Sequence, residues 1–207
     1  MADMDLEAGG QRRAPAQQRS RERLERILRA ATELIAAKGS DQLKMSEVAE
    51  RAGISIGSLY QYFPEKSAII RTLAERYNAE NRRCIQEALV GVRDLEGLKA
   101  AYLGLIDLYY EIMLAEPVMR DIWSGMQADK QLVLLELAES RAAGAMLAEV
   151  MARVHPDADP EKIATSAFLT WHLGEATMRL AISLDRAQGR ALVEAHKRMT
   201  LREILEP

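Results

Sequence analysis

The sequence predicts an all-α protein: a three-helix N-terminal unit followed by a larger C-terminal helical domain, about nine helices in all. Three observations carry this expectation. Apolar residues recur three or four positions apart almost to the end of the chain, the spacing that gathers them on one face of a helix. Valine and isoleucine nowhere alternate with polar residues over a strand length, which argues against a sheet. Glycines, prolines and short acidic turns interrupt the periodicity at helix-sized intervals, where they stop one helix and start the next. At 207 residues and 48% hydrophobic, the chain can bury such a core without disulfides or metals.

Taken in order, residues 1–19 are polar, rich in Gly, Gln and Arg, and without periodicity, and are expected to form a flexible arm. Leu24, Ile27, Leu28, Ala31, Leu34 and Ile35 then mark one face of a first helix, from about Arg21 to Lys38, with Gly39 as its stop. A second, short helix carries Met45, Val48, Ala49 and Ala52 inward and turns at Gly53. Ser55 can cap a third helix by accepting a backbone N–H two or three residues on. That helix holds Leu59 and ends before Pro64, a residue suited to the first turn of the next.

The remaining periodicity gives a fourth helix through Ile69, Ile70, Leu73, Tyr77, Ile85 and Leu89, closing near Gly91. A fifth runs through Leu98, Tyr102, Leu105, Tyr109 and Ile112 to the break at Glu116-Pro117. A sixth spans Pro117 to about Met126, and Asp129 can cap a seventh reaching about His155. Asp159-Pro160 reads as an N-cap followed by proline at the first helical position. The eighth helix is expected over roughly Glu161 to Asp185, with Gly189 as its break and a ninth helix running through Leu205.

Charge is distributed unevenly. The net charge of −3 points to no polyanionic partner for the whole chain, but Gln11 to Lys66 holds eleven basic against seven acidic residues. Such asymmetry marks the N-terminal segment as the part that meets a polyanion. Seven arginines lie between Arg12 and Arg29; those in the helix can contact phosphate, and Arg12 and Arg13 can reach a minor groove. The single cysteine, Cys84, excludes an internal disulfide and a Cys-based zinc site; it reads as a small packed hydrophobe in a reducing compartment. The opening MADMDLEAGGQRR lacks the apolar run of a signal peptide, and no stretch approaches the ~20 apolar residues of a membrane span. A cytoplasmic protein with no membrane partner is expected.

Two short helices joined by a glycine turn form a helix-turn-helix, whose second helix can lie in the major groove. Ala49 is small enough for a close crossing, Gly53 makes the turn and Leu59 locks the second helix onto the first. Its outer face then carries Ser55, Ile56, Ser58, Gln61 and Tyr62, groups that hydrogen-bond phosphates and base edges or touch a thymine methyl. Phe63 and part of Tyr60 fill the small core, while Tyr62 and the Tyr60 hydroxyl can reach DNA.

The stretch SEVAERAGISIGSLYQYFPEKSAII, with its AERAG turn, GSLYQYF helix and following lysine, resembles the DNA-binding signature of the tetracycline-repressor-like (TetR) family of bacterial transcription regulators. The resemblance covers about Arg21 to Leu73 and implies a DNA-binding domain over residues 20–66 and an effector-binding and dimerisation domain over 67–207. It further implies Ser46, Ser55, Ile56, Ser58 and Tyr62 as DNA-facing residues, Tyr60 and Lys66 as phosphate contacts, and Gly57 as the point of close approach to the DNA backbone. Members often open the second helix with Thr or Ser; Lys44 and Met45 stand there instead, and Lys44 can supply a charge contact.

A helix-turn-helix this small works as a dimer on half-sites about one helical turn (~34 Å) apart, so a double-stranded, palindromic operator and a homodimer through the last two helices are expected. Ala164, Ala167, Phe168, Trp171, Gly174 and Ala181, with Ala195 and Met199 on the ninth helix, are the expected seam; the alternative is an internal core face. The resemblance also implies a pocket for a small-molecule effector among the fourth to eighth helices, with Tyr102, Tyr109, Met113, Trp123, Met126, Trp171, His172 and Glu175 as candidate ligand contacts. Glu175 and Arg179 stand four apart and can pair; Arg120 and Asp121 can form an ion pair anchoring the sixth helix.

Two rivals remain: a DNA-binding regulator without a small-molecule effector, and an all-helical enzyme. Carboxylate-bridged metal bundles need Glu-x-x-His pairs, and His155, His172 and His196 each lack an acidic residue three positions before. No HExxH motif or glycine-rich phosphate loop occurs either. The sequence therefore predicts a transcriptional repressor released from its operator by an effector, not an enzyme, and without metal or cofactor.

Overall fold

A computed structural model describes the backbone of residues 8–126 and 129–207, with side chains from residue 17 onward except those of Pro117 and residues 124–128. Among the described residues there are nine helices and no strand: α1 (Ala8–Lys38), α2 (Met45–Ala52), α3 (Ile56–Tyr62), α4 (Lys66–Leu89), α5 (Leu95–Ala115), α6 (Pro117–Met126), α7 (Lys130–Val154), α8 (Pro160–Ala181) and α9 (Arg186–Leu205). They divide into two compact units, one ending at Leu73 and the other running Ala74–Pro207. The division falls inside α4 and not at residue 66, because Ile69, Ile70 and Leu73 are buried with the N-terminal unit.

In the first unit α1 packs on α2 and α2 on α3. Ile27, Leu28, Ala31 and Ile35 are buried on α1, Val48, Ala49 and Ala52 on α2, and Leu59 on α3. Of the arm expected over 1–19, residues 1–7 lie outside the described residues; from Ala8 the backbone is helical and not irregular. Gln and Arg are good helix formers, and extending an existing helix avoids the cost of nucleating one.

The helix ends follow local chemistry. Gly39 (φ 86°) closes α1, its N–H donating to the Ile35 carbonyl at 2.8 Å. Gly53 (φ 64°) closes α2: its N–H donates to Glu50 at 3.1 Å while the Ile54 N–H donates to Ala49 at 3.0 Å, a Schellman stop that only glycine enters without strain. Lys44 is the N-cap of α2 but its side chain makes no capping bond. Glu47 compensates: Lys38, first, and the charge and backbone N–H of Lys44 hold its carboxyl below the ordinary range.

In the second unit α8 packs against both α7 and α9, and α5 against α9. Glycines permit the closest approaches. A Cβ at Gly144 would lie 2.8 Å from the Phe168 Cα, and one at Gly174 would lie 3.3 Å from the His196 ring. Ala167, Gly174 and Ala181 are accordingly buried within the chain. They belong to the internal face that was the alternative to a seam, because small residues admit a neighbouring helix of their own chain as readily as one of a partner. The eighth helix stops at Ala181, earlier than expected, and Gly189 lies inside α9. The break is made by Asp185, whose carboxylate accepts from the N–H groups of Ala187 and Gln188 at 2.9 and 3.0 Å. Asp129 and Asp159 cap α7 and α8 in the same way, and Asp94 caps α5.

Candidate functional site

The outer surface of the helix-turn-helix is set by one inward residue. Leu59 is 0% exposed, and with it held in the core the helical repeat turns the rest of α3 outward. Ile56 is 43% and Tyr60 50% exposed; Ser55, Gly57 and Gln61 are exposed, as are Lys44 and Ser46 at the start of α2. Ser58, Tyr62 and Lys66 are half-buried, and Phe63 is buried. Ser55 caps α3 by accepting the Ser58 N–H at 3.1 Å. Two of the candidates are already engaged: the Tyr62 hydroxyl lies 3.1 Å from Ser20 Oγ, and Lys66 Nζ donates to the Asp41 carbonyl at 2.9 Å. Ser55, Ile56, Gly57, Tyr60 and Gln61 thus form the open stretch, flanked by Lys44 and Ser46.

Gly57 is informative because nothing among the described residues requires it. Its φ is ordinary and a Cβ there would meet no atom within 4 Å, yet glycine inside a helix costs about 0.5–1 kcal/mol relative to alanine. The missing side chain leaves room for something outside the chain. Arg19, Arg21, Arg23, Arg26 and Arg29 are exposed along α1 and supply positive charge to the same unit, whereas Lys38 and Arg51 are paired with Glu47 and Glu33.

The larger unit contains a narrow cavity between α5 and α8, lined by Tyr102, Leu105, Ile106, Tyr109, Trp171, Glu175 and Met178 among others. Tyr109 and Glu175 also line a polar cavity with Arg82, Trp123, Glu136, Glu139 and Arg179. Tyr109 further borders a third, with Tyr77, Cys84 and Met119. The candidates from the sequence separate on this geometry. Tyr102 presents its ring, while its hydroxyl is 2.6 Å from Thr200 Oγ1 and burial pushes it up to about 12. Burial, reinforced by the charge of Glu175, pushes the Tyr109 hydroxyl well up; its ring centroid is 6.0 Å from that of Trp123. Met113 is buried in the core and lines none of these cavities. The Met126 side chain lies outside the described residues.

Glu175 is the polar centre. Its carboxylate accepts from Ser140 Oγ and, at 3.2 Å, from Trp171 Nε1. His172 Nδ1 is 3.2 Å from the same Ser140 oxygen. Burial, first, pushes the Glu175 carboxyl up to about 7; the Ser140 hydrogen bond, Arg179 and Trp171 draw it down, and Glu136 adds to the rise. Ser140 has one hydroxyl hydrogen and a second acceptor, the Glu136 carbonyl at 3.1 Å. A protonated Glu175 can therefore donate to Ser140 while Ser140 turns to Glu136, so both charge states are satisfied. Arg179 pairs with Glu136 and not with Glu175, and Arg82 pairs with Glu139. Arg120 and Asp121 form an ion pair at 3.7 Å. Ser140, Glu136 and Arg82 were not legible as site residues; a small polar residue on the buried face of α7 was the available signal.

A third surface is apolar. Leu169, Leu173 and Leu180 are exposed on α8 at helical spacing, and Met199 on α9 is 76% exposed. Among the described residues no helix is long and apolar enough to cross a membrane.

Residues 27–73 match the family model for bacterial regulatory proteins of the tetR family, and residues 96–207 match a tetracyclin repressor-like C-terminal domain. Among curated proteins, the chain is 37% identical over 70 residues to the uncharacterized HTH-type transcriptional regulator YvdT of Bacillus subtilis, covering 34% of this chain and 36% of that protein. The match thus spans about a third of that relative's length. It is 26% identical over 159 residues to the HTH-type transcriptional repressor KstR of Mycobacterium tuberculosis, covering 73% of this chain and 68% of that one. A crystal structure of a TetR-family transcriptional regulator from Streptomyces coelicolor superposes with a TM-score of 0.67 at 23% identity, covering 90% of this chain and 97% of that one. That likeness is one of fold.

Proposed function

Because this chain belongs to the tetracycline-repressor (TetR) family of bacterial transcription regulators, we propose that it is a homodimeric repressor released from a palindromic operator by a small-molecule effector. Regulators of this family bind DNA operators, form dimers and bind small-molecule effectors. The observation that carries the reading is the outer face of α3. Ser55, Ile56, Tyr60 and Gln61 stand exposed around Gly57, whose lack of a side chain makes room for no neighbour among the described residues.

In this reading residues 20–66 bind DNA. Ile56, Ser58, Gln61 and Tyr62 face base edges, and Lys44, Ser46, Ser55, Tyr60 and Lys66 contact phosphates. Residues 67–207 bind the effector and dimerise. The exposed Leu169, Leu173 and Leu180 of α8 with Met199 of α9 form the seam, since a monomer gains by covering such a stripe. The effector enters the cavity at Tyr109, Trp171 and Glu175. Its coupling to DNA passes through α4, one continuous helix whose first turns belong to the DNA-binding unit and whose later residues Asn78, Asn81 and Arg82 line the polar cavity. A coupling free energy of about 1–3 kcal/mol suffices for a 5- to 150-fold change in operator affinity.

Selection of bound genomic fragments by the purified protein, followed by footprinting at two salt concentrations, tests this. A palindromic protected site whose affinity falls steeply with salt is expected. Equal retention of unrelated fragments, or no protected site in protein refolded free of ligand, would sink the proposal.

A further inference from the structure

The cavity at Glu175 is built for a particular charge. Each of its two arginines is already matched by a carboxylate of α7, Arg82 by Glu139 and Arg179 by Glu136. The charges cancel in pairs, so neither guanidinium carries an uncompensated charge. Glu175 is different: it is largely buried, it accepts from the uncharged donors Ser140 and Trp171, His172 Nδ1 lies 3.7 Å from it, and among the described residues no arginine or lysine bonds to it. Two acceptor hydrogen bonds leave part of its capacity open, since an ionised carboxylate has about four acceptor positions. Beside it the walls are aromatic and aliphatic, formed by Tyr109, Trp171, Leu105, Ile106 and Met178. A buried carboxylate beside aromatic faces favours a cation with an apolar body.

Resting on the reading of this cavity as the effector site, we propose that the effector is a lipophilic amine bound as a monocation, its ammonium on Glu175 and its ring or chain between Tyr109 and Trp171. The polar shell agrees with this assignment. The nest around Glu175 offers hydrogen bonds to the acid in both protonation states, and an arriving ammonium stabilises the ionised form. The charged and titratable groups around Glu175 are Tyr109 on α5, Arg82 on α4, Glu136 and Glu139 on α7, and His172 and Arg179 on α8. With both arginines committed to their glutamates, Glu175 is the group that sets the charge preference.

The test measures binding of three probes of one shape, naphthylethylamine, naphthylethanol and naphthylacetate, to the full-length protein by calorimetry, with operator release followed in parallel. Wild type is expected to bind the amine about tenfold or more tightly than the alcohol, the increment of a charge-assisted hydrogen bond, and to bind the acetate least. Glu175→Gln should bring amine affinity down to that of the alcohol. Wild type alone decides if that variant does not fold, because its amine affinity must also fall as pH drops below that of Glu175 ionisation. Tighter binding of the alcohol or the acetate, with operator release, overturns the charge assignment and leaves the effector cavity standing. Binding of none of the three, by protein that still retains its operator, overturns both.

Discussion

Gly189 on α9 and Tyr110 on α5 meet so closely that a Cβ on the glycine would lie 2.5 Å from the tyrosine oxygen, and would also press on the Ala181 carbonyl. The Tyr110 hydroxyl is itself buried without a hydrogen-bond partner among the described residues. Gly189→Ala should therefore destabilise the protein by about 1–3 kcal/mol, the usual cost of overpacking. Tyr110→Phe should be neutral or stabilising, since it removes a polar atom that bonds to nothing. Combined, the two changes should cost less than Gly189→Ala alone, with the Ala181 contact leaving a remainder. Urea denaturation of the four proteins in a double-mutant cycle checks this.

Gly57 should separate stability from function in the opposite direction. Alanine there meets no neighbour and should stabilise the helix-turn-helix by about 0.5–1 kcal/mol. The same methyl group should weaken operator binding by filling the space the DNA backbone needs. A melting curve and a mobility-shift titration of Gly57→Ala measure the two effects, and a variant that is more stable with unchanged operator affinity would contradict the role given to Gly57.

Glu175 makes stability depend on pH with a definite sign. Its carboxyl titrates at about 7 in the folded protein against an ordinary value of 4.5, so between these values the folded state binds more protons than the unfolded. The associated stability is complete below the unfolded value and is lost as pH rises through about 7. Glu175→Gln cannot ionise, and its stability relative to wild type should grow between about pH 5 and pH 8, by up to about 3 kcal/mol. Denaturation midpoints of both proteins across that range read the difference directly.

The exposed leucines of α8 give an assembly prediction. Leu173→Glu places a charge in the middle of the Leu169, Leu173 and Leu180 stripe, and a charge cannot be buried there without a partner. The variant should elute as a monomer in chromatography with light-scattering detection and retain wild-type helix content. A dimer of wild-type affinity would place the seam elsewhere.

Helix stops were legible in the sequence where one residue type has one local use. Gly39 and Gly53 follow the last periodic residues of their helices and adopt the left-handed backbone that only glycine enters freely; Asp129 and Asp159 precede theirs and accept the N–H groups of their own first turns. Gly189 misled because a glycine also serves close packing, and nothing local tells a helix break from an approach by Tyr110, distant in sequence. Ala167, Gly174 and Ala181 misled for a related reason: periodicity finds a face but not which neighbour covers it. Within the cavity Glu175, Trp171 and Tyr109 stood out as polar or aromatic residues on apolar helices. Ser140, Glu136 and Arg82 reach the same point from α7 and α4, and no pattern in the chain ties those positions together before it folds.

The bond between the Tyr62 hydroxyl and Ser20 Oγ sets how much Tyr62 can contribute to operator affinity. A base-edge acceptor that takes the Tyr62 hydrogen replaces one partner with another, and the Ser20 hydroxyl released in exchange is hydrated. The gain is a difference between two hydrogen bonds, within about 1 kcal/mol for neutral partners. Among the described residues Tyr60 has no such partner, and half of it faces solvent. Tyr62→Phe should thus reduce operator affinity less than Tyr60→Phe in the same mobility-shift assay. It should also loosen the basic N-terminal half of α1 from α3, so that hydrogen exchange near Ser20 quickens in the free protein. In the proposed complex, recognition at this position is an exchange reaction, and its readout lies on α1 as much as on the DNA.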